Sequence, residues 1–335
     1  MICLECGTTT DKEICERDGC PTVDGQEFGQ NGDPLVGALF TEKYRCISLL
    51  GRGGMGRVYK AWQRDLNRVV ALKVISDEIS SNEAAVRRFM REVRVTSQLN
   101  HPNSIRIFDF GYTEGRRIFF SMEFLVGRSL FRAIQAREQF DDLRVIHVAS
   151  QVLKSLGEAH RKGIIHRDLT PDNIFLVPVT GDRDFVKVLD FGVAKAKGGW
   201  ATGSGLTAEG YLIGKPKYVS PEQIEHEEEI DGRSDLYSLG IVMYEMICGA
   251  APFVSATPLK TVLQHVNEPP PDIREKARRP VGRELAGFVM RLLEKDREKR
   301  PASAETALNL LQEIEKEMSG APGREADKTR FHPGK

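Results

Sequence analysis

Short apolar segments in the first third of the chain have the composition of β-strands. The β-branched run over residues 69–75 predicts one strand. Residues 105–110 and 117–124 predict two more, joined as a hairpin, because Gly111 and Gly115 interrupt the apolar pattern between them. This part of the chain is therefore predicted to form an antiparallel sheet.

One helix is predicted within this β-rich part, over residues 80–99. Ser80 and Glu83 have the spacing of a capping box, which marks the start of a helix. The apolar stripe of helical period that follows consists of Val86, Phe89, Val93 and Leu99.

After Gly127 the pattern becomes mostly helical. The strongest helical periodicity covers residues 145–160, 235–248 and 285–293. A β-rich first third followed by a helix-rich remainder predicts an α+β fold of two lobes with a cleft between them.

Composition divides the chain into four segments. Residues 1–24 contain a cluster of cysteines and are too few to bury a core of their own. Residues 25–43 begin with a stretch rich in Gly, Gln, Asn and Asp and are predicted to be a linker. Residues 44–317 form the main domain, and the polar residues 318–335 are predicted to be a disordered tail.

Charge and hydropathy exclude two classes of function. The 335 residues include 48 Lys plus Arg and 48 Asp plus Glu, so the formal net charge is zero. Nucleic acids and acidic membranes normally attract a basic excess, which this chain lacks. The longest apolar stretch, residues 239–253, is too short to cross a bilayer. With no signal peptide and clustered rather than spread cysteines, we expect a soluble protein of a reducing, cytoplasmic compartment.

A glycine-rich segment at residues 51–58 has the pattern Gly-x-Gly-x-x-Gly-x-Val. Glycines allow backbone amides to approach phosphate oxygens, although this pattern alone also arises by chance in turns. The segment continues into a strand-like stretch instead of a helix. It is therefore predicted to form the turn of a hairpin and not a dinucleotide-binding turn.

Lys73 lies inside the apolar strand predicted over residues 69–75. A buried ammonium group needs a partner, because an unpaired buried charge is costly; an edge-strand lysine is the alternative. The predicted helix offers Glu92 beside Phe89 and Val93. A Lys73–Glu92 pair would aim the ammonium group at nucleotide phosphates.

Two polar strings supply the candidate catalytic groups. Residues 166–173 read His-Arg-Asp-Leu-Thr-Pro-Asp-Asn, and residues 190–192 read Asp-Phe-Gly. Asp168 can accept a hydroxyl proton, while Asn173 and Asp190 offer the hard oxygen ligands that suit Mg²⁺. Each string alone is compatible with an ordinary turn, but their order and spacing together are not expected by coincidence.

With these motifs, residues 44–317 resemble the eukaryotic-like protein kinase family. Pro171 and the string Ser-Pro-Glu-Gln at residues 220–223 are similar to bacterial serine/threonine kinases. The resemblance implies a two-lobed protein kinase fold, with a small antiparallel β lobe that carries one helix and a large helical lobe. It also implies a buried salt bridge between Glu222 and Arg300.

The resemblance further implies ATP and Mg²⁺ as cofactors and proteins as substrates. The residues implied to surround ATP are Leu50, Gly51, Arg52, Gly53, Gly54, Met55, Gly56, Arg57, Val58, Ala71, Lys73, Met122, Glu123 and Leu125. Those implied to act in catalysis are Asp168, Lys73 and Glu92, with Asn173 and Asp190 as the Mg²⁺ ligands. Lys215 is a further catalytic candidate, although it departs from the family pattern.

Three positions depart from the family pattern. Relatives carry Lys at the position of Thr170 and Thr at the position of Lys215, so we hypothesise that Lys215 returns the ammonium group to the phosphate from the opposite side. Thr96 replaces a large apolar residue, which predicts looser packing of its helix. The alternative function is therefore a pseudokinase, a nucleotide-binding regulatory scaffold.

The segment between residues 190 and 222 is rich in glycine and hydroxyl groups, as expected of a phosphorylated activation loop. In relatives, the residue at the position of Arg167 binds a loop phosphate. We therefore hypothesise autophosphorylation on Thr207, with Glu209 supplying part of the anionic charge permanently. The alternative is a solvated Glu209 in an ordinary loop.

The cysteine cluster has nearly the spacing of a zinc ribbon. Cys3, Cys6, Cys15 and Cys20 could give four thiolates to a tetrahedral Zn²⁺, and metal binding would supply the folding free energy that this short segment lacks. Ribbon spacing places the fourth ligand at Asp18 instead of Cys20, and redox or unligated thiols are the alternative to zinc. Because the segment has no basic excess, we expect a protein as its partner and not a nucleic acid.

Overall fold

The computed structural model describes residues 1–320, apart from residues 4, 7, 18, 21, 24–32, 114–116, 192–215 and 226–229. The described chain forms a small β lobe and a large helical lobe, as the sequence predicts. None of its described helices is both long and apolar enough to cross a bilayer.

The small lobe is built on a six-stranded antiparallel sheet of order β3-β4-β5-β6-β8-β7. Its strands are β3 (Leu39–Phe40), β4 (Tyr44–Gly53), β5 (Gly56–Gln63), β6 (Arg68–Ile75), β7 (Ile107–Tyr112) and β8 (Ile118–Glu123). The strand β6 and the hairpin β7–β8 match the apolar runs in the sequence.

The two faces of this sheet bury different cores. The face toward the cleft packs on helix α2 (Glu83–Thr96) through Phe89, Val93 and Phe120. The opposite face buries Tyr59 and Leu72 under residues 33–40. Side chains alternate between the faces along each strand, which is why one strand serves both cores.

Residues 33–40 correct the predicted linker. Leu35, Val36 and Phe40 pack on the outer face of the sheet, and strand β3 pairs with β4. The polar composition at the start of residues 25–43 concealed this packing, because the apolar residues that cover the outer face of the sheet are few and have no clear period. Residues 25–32 of this stretch lie outside the described residues.

The cysteine segment docks on the small lobe. Its strands β1 (Ile2–Cys3) and β2 (Thr22–Val23) pair with each other, and its buried side chains share one apolar cluster with Ile47 and Trp62 of strands β4 and β5. Glu5 adds ion pairs with Arg45 and Arg64. The kinase-like domain thus supplies the core that the segment is too short to make for itself.

The helix α2 begins later than its sequence predicted. Ser80 ends the short helix α1 (Asp77–Ser80), and Asn82 is the N-cap of α2, where its side chain accepts a hydrogen bond from the Ala85 amide at 3.0 Å. Ser80 and Asn82 are both suitable N-cap residues, and the capping-box spacing of Ser80 alone does not show which of them begins the helix.

The large lobe is built around the helix α6 (Arg233–Cys248), which is buried along almost its whole length. Helices α4 (Asp142–Arg161) and α9 (Arg283–Leu292) pack against it. The other elements of this lobe are β9 (Arg128–Ser129), α3 (Leu130–Gln135), β10 (Ile174–Val179), β11 (Asp182–Val188), α5 (Pro221–Ile224), α7 (Pro258–Asn267), α8 (Ile273–Lys276) and α10 (Ala304–Gly320).

The helix α10 includes residues 318–320 of the predicted tail. Ile314 and Met318 pack against the core of the large lobe, and this apolar contact extends the helix beyond the predicted boundary. Residues 321–335 lie outside the described residues.

Replacing Asn82 with Ala should lower the free energy of unfolding of the small lobe by about 1 kcal/mol, since helix α2 loses its N-cap. Ser80 is the matched control: its hydroxyl is buried without a hydrogen-bond partner among the described residues, so Ser80→Ala should cost nothing measurable. Thermal unfolding of both variants checks this. If Ser80→Ala lowers the melting temperature more than Asn82→Ala does, Ser80 and not Asn82 is the N-cap, as the sequence predicts.

Candidate active site

The glycine-rich segment forms the turn of the β4–β5 hairpin at one edge of the cleft. Gly53 pairs with Gly56, Arg52 with Arg57, and Gly51 with Val58. Gly56 has a φ of 141°, and a Cβ there would lie 2.1 Å from the Val74 carbonyl oxygen, so no other residue fits. The loop therefore lies over strand β6 with its backbone close to the cleft.

The predicted adenine-contacting side chains lie on the cleft face of the sheet. Ala71 and Met122 are buried there, and Val58 and Leu125 pack against them. Leu50 is exposed. These apolar side chains can form the wall of a nucleotide pocket.

The Glu123 side chain points away from this wall. Its carboxylate accepts hydrogen bonds from Lys187 Nζ at 2.7 Å and from the Arg106 amide at 2.9 Å. Of the predicted hinge residues, Glu123 can therefore contact a nucleotide only through its backbone.

Lys73 binds Asp190 across the cleft. Lys73 is only 7% exposed, and its Nζ lies 2.6 Å from Asp190 Oδ2. Asp190 has a positive φ of 54°, a strained conformation for a residue with a side chain. The buried ammonium group thus has a carboxylate partner, as the sequence requires, and the partner is a predicted Mg²⁺ ligand.

Among the ion pairs of the described residues, Lys73 pairs with Asp190 and not with the predicted Glu92. Helix α2 packs on the sheet through Phe89 and Val93, while the Lys73 ammonium group turns to the carboxylate that follows strand β11. Sequence proximity to buried neighbours identified a carboxylate that could reach Lys73. Which of two carboxylates it takes depends on the tertiary packing of the cleft.

Asp168 and Asn173 are in direct contact. The Asn173 side-chain nitrogen donates to the Asp168 carbonyl oxygen at 2.9 Å and to Asp168 Oδ2 at 3.2 Å. A 3-10 turn over Pro171–Asn173 brings the two residues together. Because the amide nitrogen faces Asp168, the amide oxygen of Asn173 is the atom left for a metal ion.

A buried carboxylate fixes the backbone before Asp168. Asp235 accepts hydrogen bonds from the amides of His166 and Arg167, both at 2.8 Å, and from His160 Nε2 at 2.7 Å. Burial by itself raises the pKa of Asp235, but the His160 hydrogen bond and the charges of His160 and His166 outweigh burial and lower it. Arg167 has a φ of 64°, which these two amide contacts stabilise.

His166 connects this loop to the Asp190 segment. Its Nε2 atom lies 2.8 Å from the Leu189 carbonyl oxygen, and its ring contacts the Phe191 ring with a centroid distance of 4.8 Å. The Phe191 carbonyl oxygen in turn accepts a hydrogen bond from Thr96 Oγ1 at 3.1 Å. Thr96 is buried, so the residue that departs from the family pattern has a defined partner.

The other end of the activation segment is anchored in the large lobe. Arg300 binds Glu222 through two hydrogen bonds of 2.7 and 3.0 Å, as the resemblance implies. Burial by itself raises the pKa of Glu222, but the hydrogen bonds and charge of Arg300 outweigh it and lower the pKa. Gln223 donates to the Arg167 carbonyl oxygen at 3.0 Å, which connects this anchor to the catalytic loop.

Several predicted residues cannot be located. Lys215, Thr207, Glu209 and Asp18 lie outside the described residues. Thr170 is described and is fully buried in the catalytic loop.

The comparisons with known proteins agree with this geometry. A protein-family model described as "Protein kinase domain" matches residues 44–311. The chain belongs to the protein kinase family.

Similar curated proteins are bacterial. The chain is 41% identical over 299 residues to serine/threonine-protein kinase pkn3 of Myxococcus xanthus, covering 88% of this chain and 54% of that protein. It is 35% identical over 274 residues to serine/threonine-protein kinase PknA of Mycobacterium tuberculosis, covering 80% of this chain and 59% of that protein. The chain thus spans little more than half the length of these relatives.

Among solved structures, the kinase domain of Mycobacterium tuberculosis PknI has a TM-score of 0.64 and 25% identity with this chain. The match covers 82% of this chain and 97% of the PknI chain. The kinase domain therefore has the fold that the motifs predict.

The four N-terminal cysteines converge outside the cleft. The sulfur atoms of Cys3, Cys6 and Cys15 lie within 4.8 Å of one another, and Cys20 Sγ lies 2.8 Å from Cys3 Sγ. None of the six cysteines forms a disulfide. Burial, together with the contact to Cys20, raises the pKa of Cys3 to about 11; a bound cation would stabilise the thiolate and oppose this shift.

Sequence reasoning missed His160, which helps to hold the catalytic loop. His160 reaches Asp235 because residue 232 is glycine: a Cβ there would lie 2.4 Å from His160 Nδ1. The contacts of Asp235 with two backbone amides also have no signal in the sequence.

Replacing Thr96 with Val keeps the shape of the side chain and removes the donor to the Phe191 carbonyl oxygen. We expect a loss of about 1 kcal/mol in stability and a severalfold lower kcat, because helix α2 loses its polar contact with the Asp190 segment. Ser97→Ala is the control, since the Ser97 hydroxyl donates within its own helical turn, to the Arg94 carbonyl oxygen at 2.8 Å. Calorimetry and phosphotransfer assays check both variants. A Thr96→Val enzyme as stable and active as the wild type would show that this hydrogen bond does not matter.

Proposed function

We propose that this chain is an ATP- and Mg²⁺-dependent serine/threonine protein kinase. The observation that carries the proposal is the contact of Lys73 with Asp190 in the same cleft as the Asp168–Asn173 pair. The names of the bacterial relatives support the serine/threonine preference. Protein hydroxyl groups are then the substrate, and the clustering of four cysteines at one end of the sequence favours a cytoplasmic enzyme.

The residues of the cleft fit a magnesium–nucleotide complex. Asp190 and Asn173 would hold Mg²⁺ through a carboxylate and an amide oxygen, which are the hard ligands that this ion prefers. When bound, the ion neutralises charge on the phosphates. Lys73 would bind the phosphates from the small lobe, and Ala71, Met122 and Leu125 would pack against the adenine.

Asp168 would orient the attacking hydroxyl group and accept its proton. The contact with Asn173 and the fixed backbone before it hold the Asp168 carboxylate in one place, and positioning of this kind accounts for much of the rate of phosphoryl transfer. We also propose that Lys215 serves the role that relatives give to the residue at position 170. The buried Thr170 has no charge to do so.

Asp168→Asn should abolish phosphotransfer to a generic basic protein, while the affinity for ATP changes less than about twofold, because Asp168 acts on the hydroxyl group and not on the nucleotide. Labelled ATP with Mg²⁺ and nucleotide titration measure the two quantities. Equal phosphorylation by wild type and variant would reject the proposal that Asp168 of this chain catalyses phosphotransfer. Nucleotide binding without any phosphorylation by the wild type would favour a pseudokinase.

Autophosphorylation on Thr207 is a further part of the proposal. Arg167 lies beside Asp168, and its backbone is held on both sides by Asp235 and Gln223, so its side chain starts from a fixed place and would bind a loop phosphate from there. Mass spectrometry after incubation with Mg²⁺ and ATP should find phosphate on Thr207 in the wild type and none in Asp168→Asn. A wild-type Thr207 that stays unmodified would contradict it.

We propose that the cysteine segment binds one structural Zn²⁺. Tetrahedral Zn–S bonds of about 2.3 Å separate the sulfur atoms by about 3.8 Å, and the sulfur atoms of Cys6 and Cys15 lie 3.6 Å apart. Cys20 is our candidate for the fourth ligand because its sulfur atom lies beside that of Cys3, at 2.8 Å; metal binding would move these two sulfur atoms apart by about 1 Å. The outer surface of the segment remains the place where we expect a protein partner.

Purified protein should contain about one Zn²⁺ per chain, and Cys6→Ser should lose it, because three thiolates bind the ion much more weakly than four. Since the segment shares a core with Ile47 and Trp62, metal loss should also lower the melting temperature of the kinase domain. Cys248→Ser is the control, as Cys248 lies in the large lobe. Metal analysis that finds no zinc under reducing conditions would contradict the proposal.

A further inference from the structure

Asp33 is a buried carboxylate that none of the proposed chemistry uses. Its side chain is fully buried, although it belongs to the polar stretch between the cysteine segment and the kinase domain. Its Oδ1 accepts the Leu35 amide and its carbonyl oxygen accepts the Val36 amide, both at 3.1 Å. Asp33 is thus held rigidly in a turn at the edge of the outer cover.

The Asp33 carboxylate binds side chains that emerge from the glycine-rich hairpin. Arg57 Nη1 donates to Oδ2 at 2.9 Å, and Arg52 Nη2 lies 3.8 Å from the same oxygen. The Tyr59 hydroxyl donates to the carboxylate at 3.1 and 3.2 Å. Burial raises the pKa of Tyr59 to about 12, so its hydroxyl group keeps the proton that it donates.

The position of Asp33 reduces the repulsion between two arginines of the hairpin. Arg52 and Arg57 are directly opposite each other in the β4–β5 register. Like charges in that position destabilise a strand pair, and a carboxylate that contacts both removes the repulsion.

The tip of the loop is fixed at one residue, Met55, which packs against the cleft-side cluster and accepts a hydrogen bond from the Ser76 amide at 3.0 Å. On the β4 side of the tip, a Cβ at Gly51 or Gly53 would meet nothing within 4 Å, so the contacts of Arg52 and Arg57 with Asp33 add a restraint where the glycines give none.

We propose that Asp33 is a positioning residue for the glycine-rich loop: by binding Arg57 and Arg52 from the outer face of the sheet, it holds the loop where its backbone binds ATP phosphates. The inference rests on the proposed phosphate-binding role of the loop. It gives the stretch before the kinase domain a direct effect on nucleotide affinity.

The test compares full-length wild type with Asp33→Asn, which keeps the oxygen that accepts from Leu35 and Tyr59 and replaces the charged oxygen that binds Arg57 with an amide nitrogen. Calorimetric titration with Mg²⁺–ADP should give an affinity about fivefold weaker, with the KM for ATP raised similarly and kcat nearly unchanged, because the loop loses its charge-assisted hydrogen bond. Asp77→Asn is the control: Asp77 pairs with Arg117 on the exposed surface of the same lobe and should leave ADP affinity unchanged.

A second change separates positioning from mere stability. Adding Arg52→Gln to Asp33→Asn removes the repulsion between the two arginines and should restore most of the ADP affinity. High salt should restore part of it, since the arginines are half exposed and their repulsion is screened. Should Asp33→Asn not fold, Arg57→Gln breaks the same ion pair from its exposed end. It should also weaken ADP binding, but by less, because it removes one of the two repelling arginines as well as the hydrogen bond.

Unchanged ADP affinity in Asp33→Asn or in Arg57→Gln would overturn the inference, as would a loss that neither Arg52→Gln nor salt relieves. ADP binding needs no phosphotransfer. If the protein shows no phosphotransfer but its ADP affinity still depends on Asp33, the kinase proposal is rejected and the role of Asp33 is supported.

Discussion

The buried carboxylate of Asp235 is the constraint on which the active site depends. It accepts two backbone amides of the catalytic loop and one histidine ring nitrogen, all within 2.8 Å. An ionised carboxylate in the core is tolerated only because three donors surround it. It comes from helix α6, which is buried along almost its whole length, so the catalytic loop takes its position from the core of the large lobe.

From that point, a chain of contacts runs to the small lobe. His166, whose amide Asp235 holds, bonds to the Leu189 carbonyl oxygen and packs on Phe191. Asp190 between them binds Lys73 of strand β6, and the Phe191 carbonyl oxygen binds Thr96 of helix α2. The Asp190 segment thus contacts both strand β6 and helix α2 of the small lobe. Through these contacts the position of the catalytic loop and the position of helix α2 depend on each other.

Much of this arrangement was predictable from the sequence because it is local. The hairpin, the strand around Lys73 and the long helices follow from periodicity, and the catalytic strings are contiguous. What could not be predicted depends on tertiary contacts: the choice of Asp190 over Glu92 as partner of Lys73, the cap at Asn82, and the burial of Asp33. In each case the sequence offers two acceptable groups within reach, or a polar residue in a polar stretch, and only packing selects between them.

The central claim is that Asp235 positions the catalytic loop, and Asp235→Asn tests it most directly. The side-chain NH2 group of the asparagine is a donor and would face another donor, either a backbone N–H of the catalytic loop or the His160 ring. Because two donors cannot bond to each other, the catalytic loop must shift. A shift near the reacting atoms costs about a hundredfold in rate. Asp142→Asn is the matched control, because Asp142 is also buried in the large lobe but binds Arg279 and the Gly282 amide far from the loop. The account predicts a folded Asp235→Asn protein with wild-type ADP affinity and a strongly reduced kcat. A folded variant with the kcat of the wild type would contradict it.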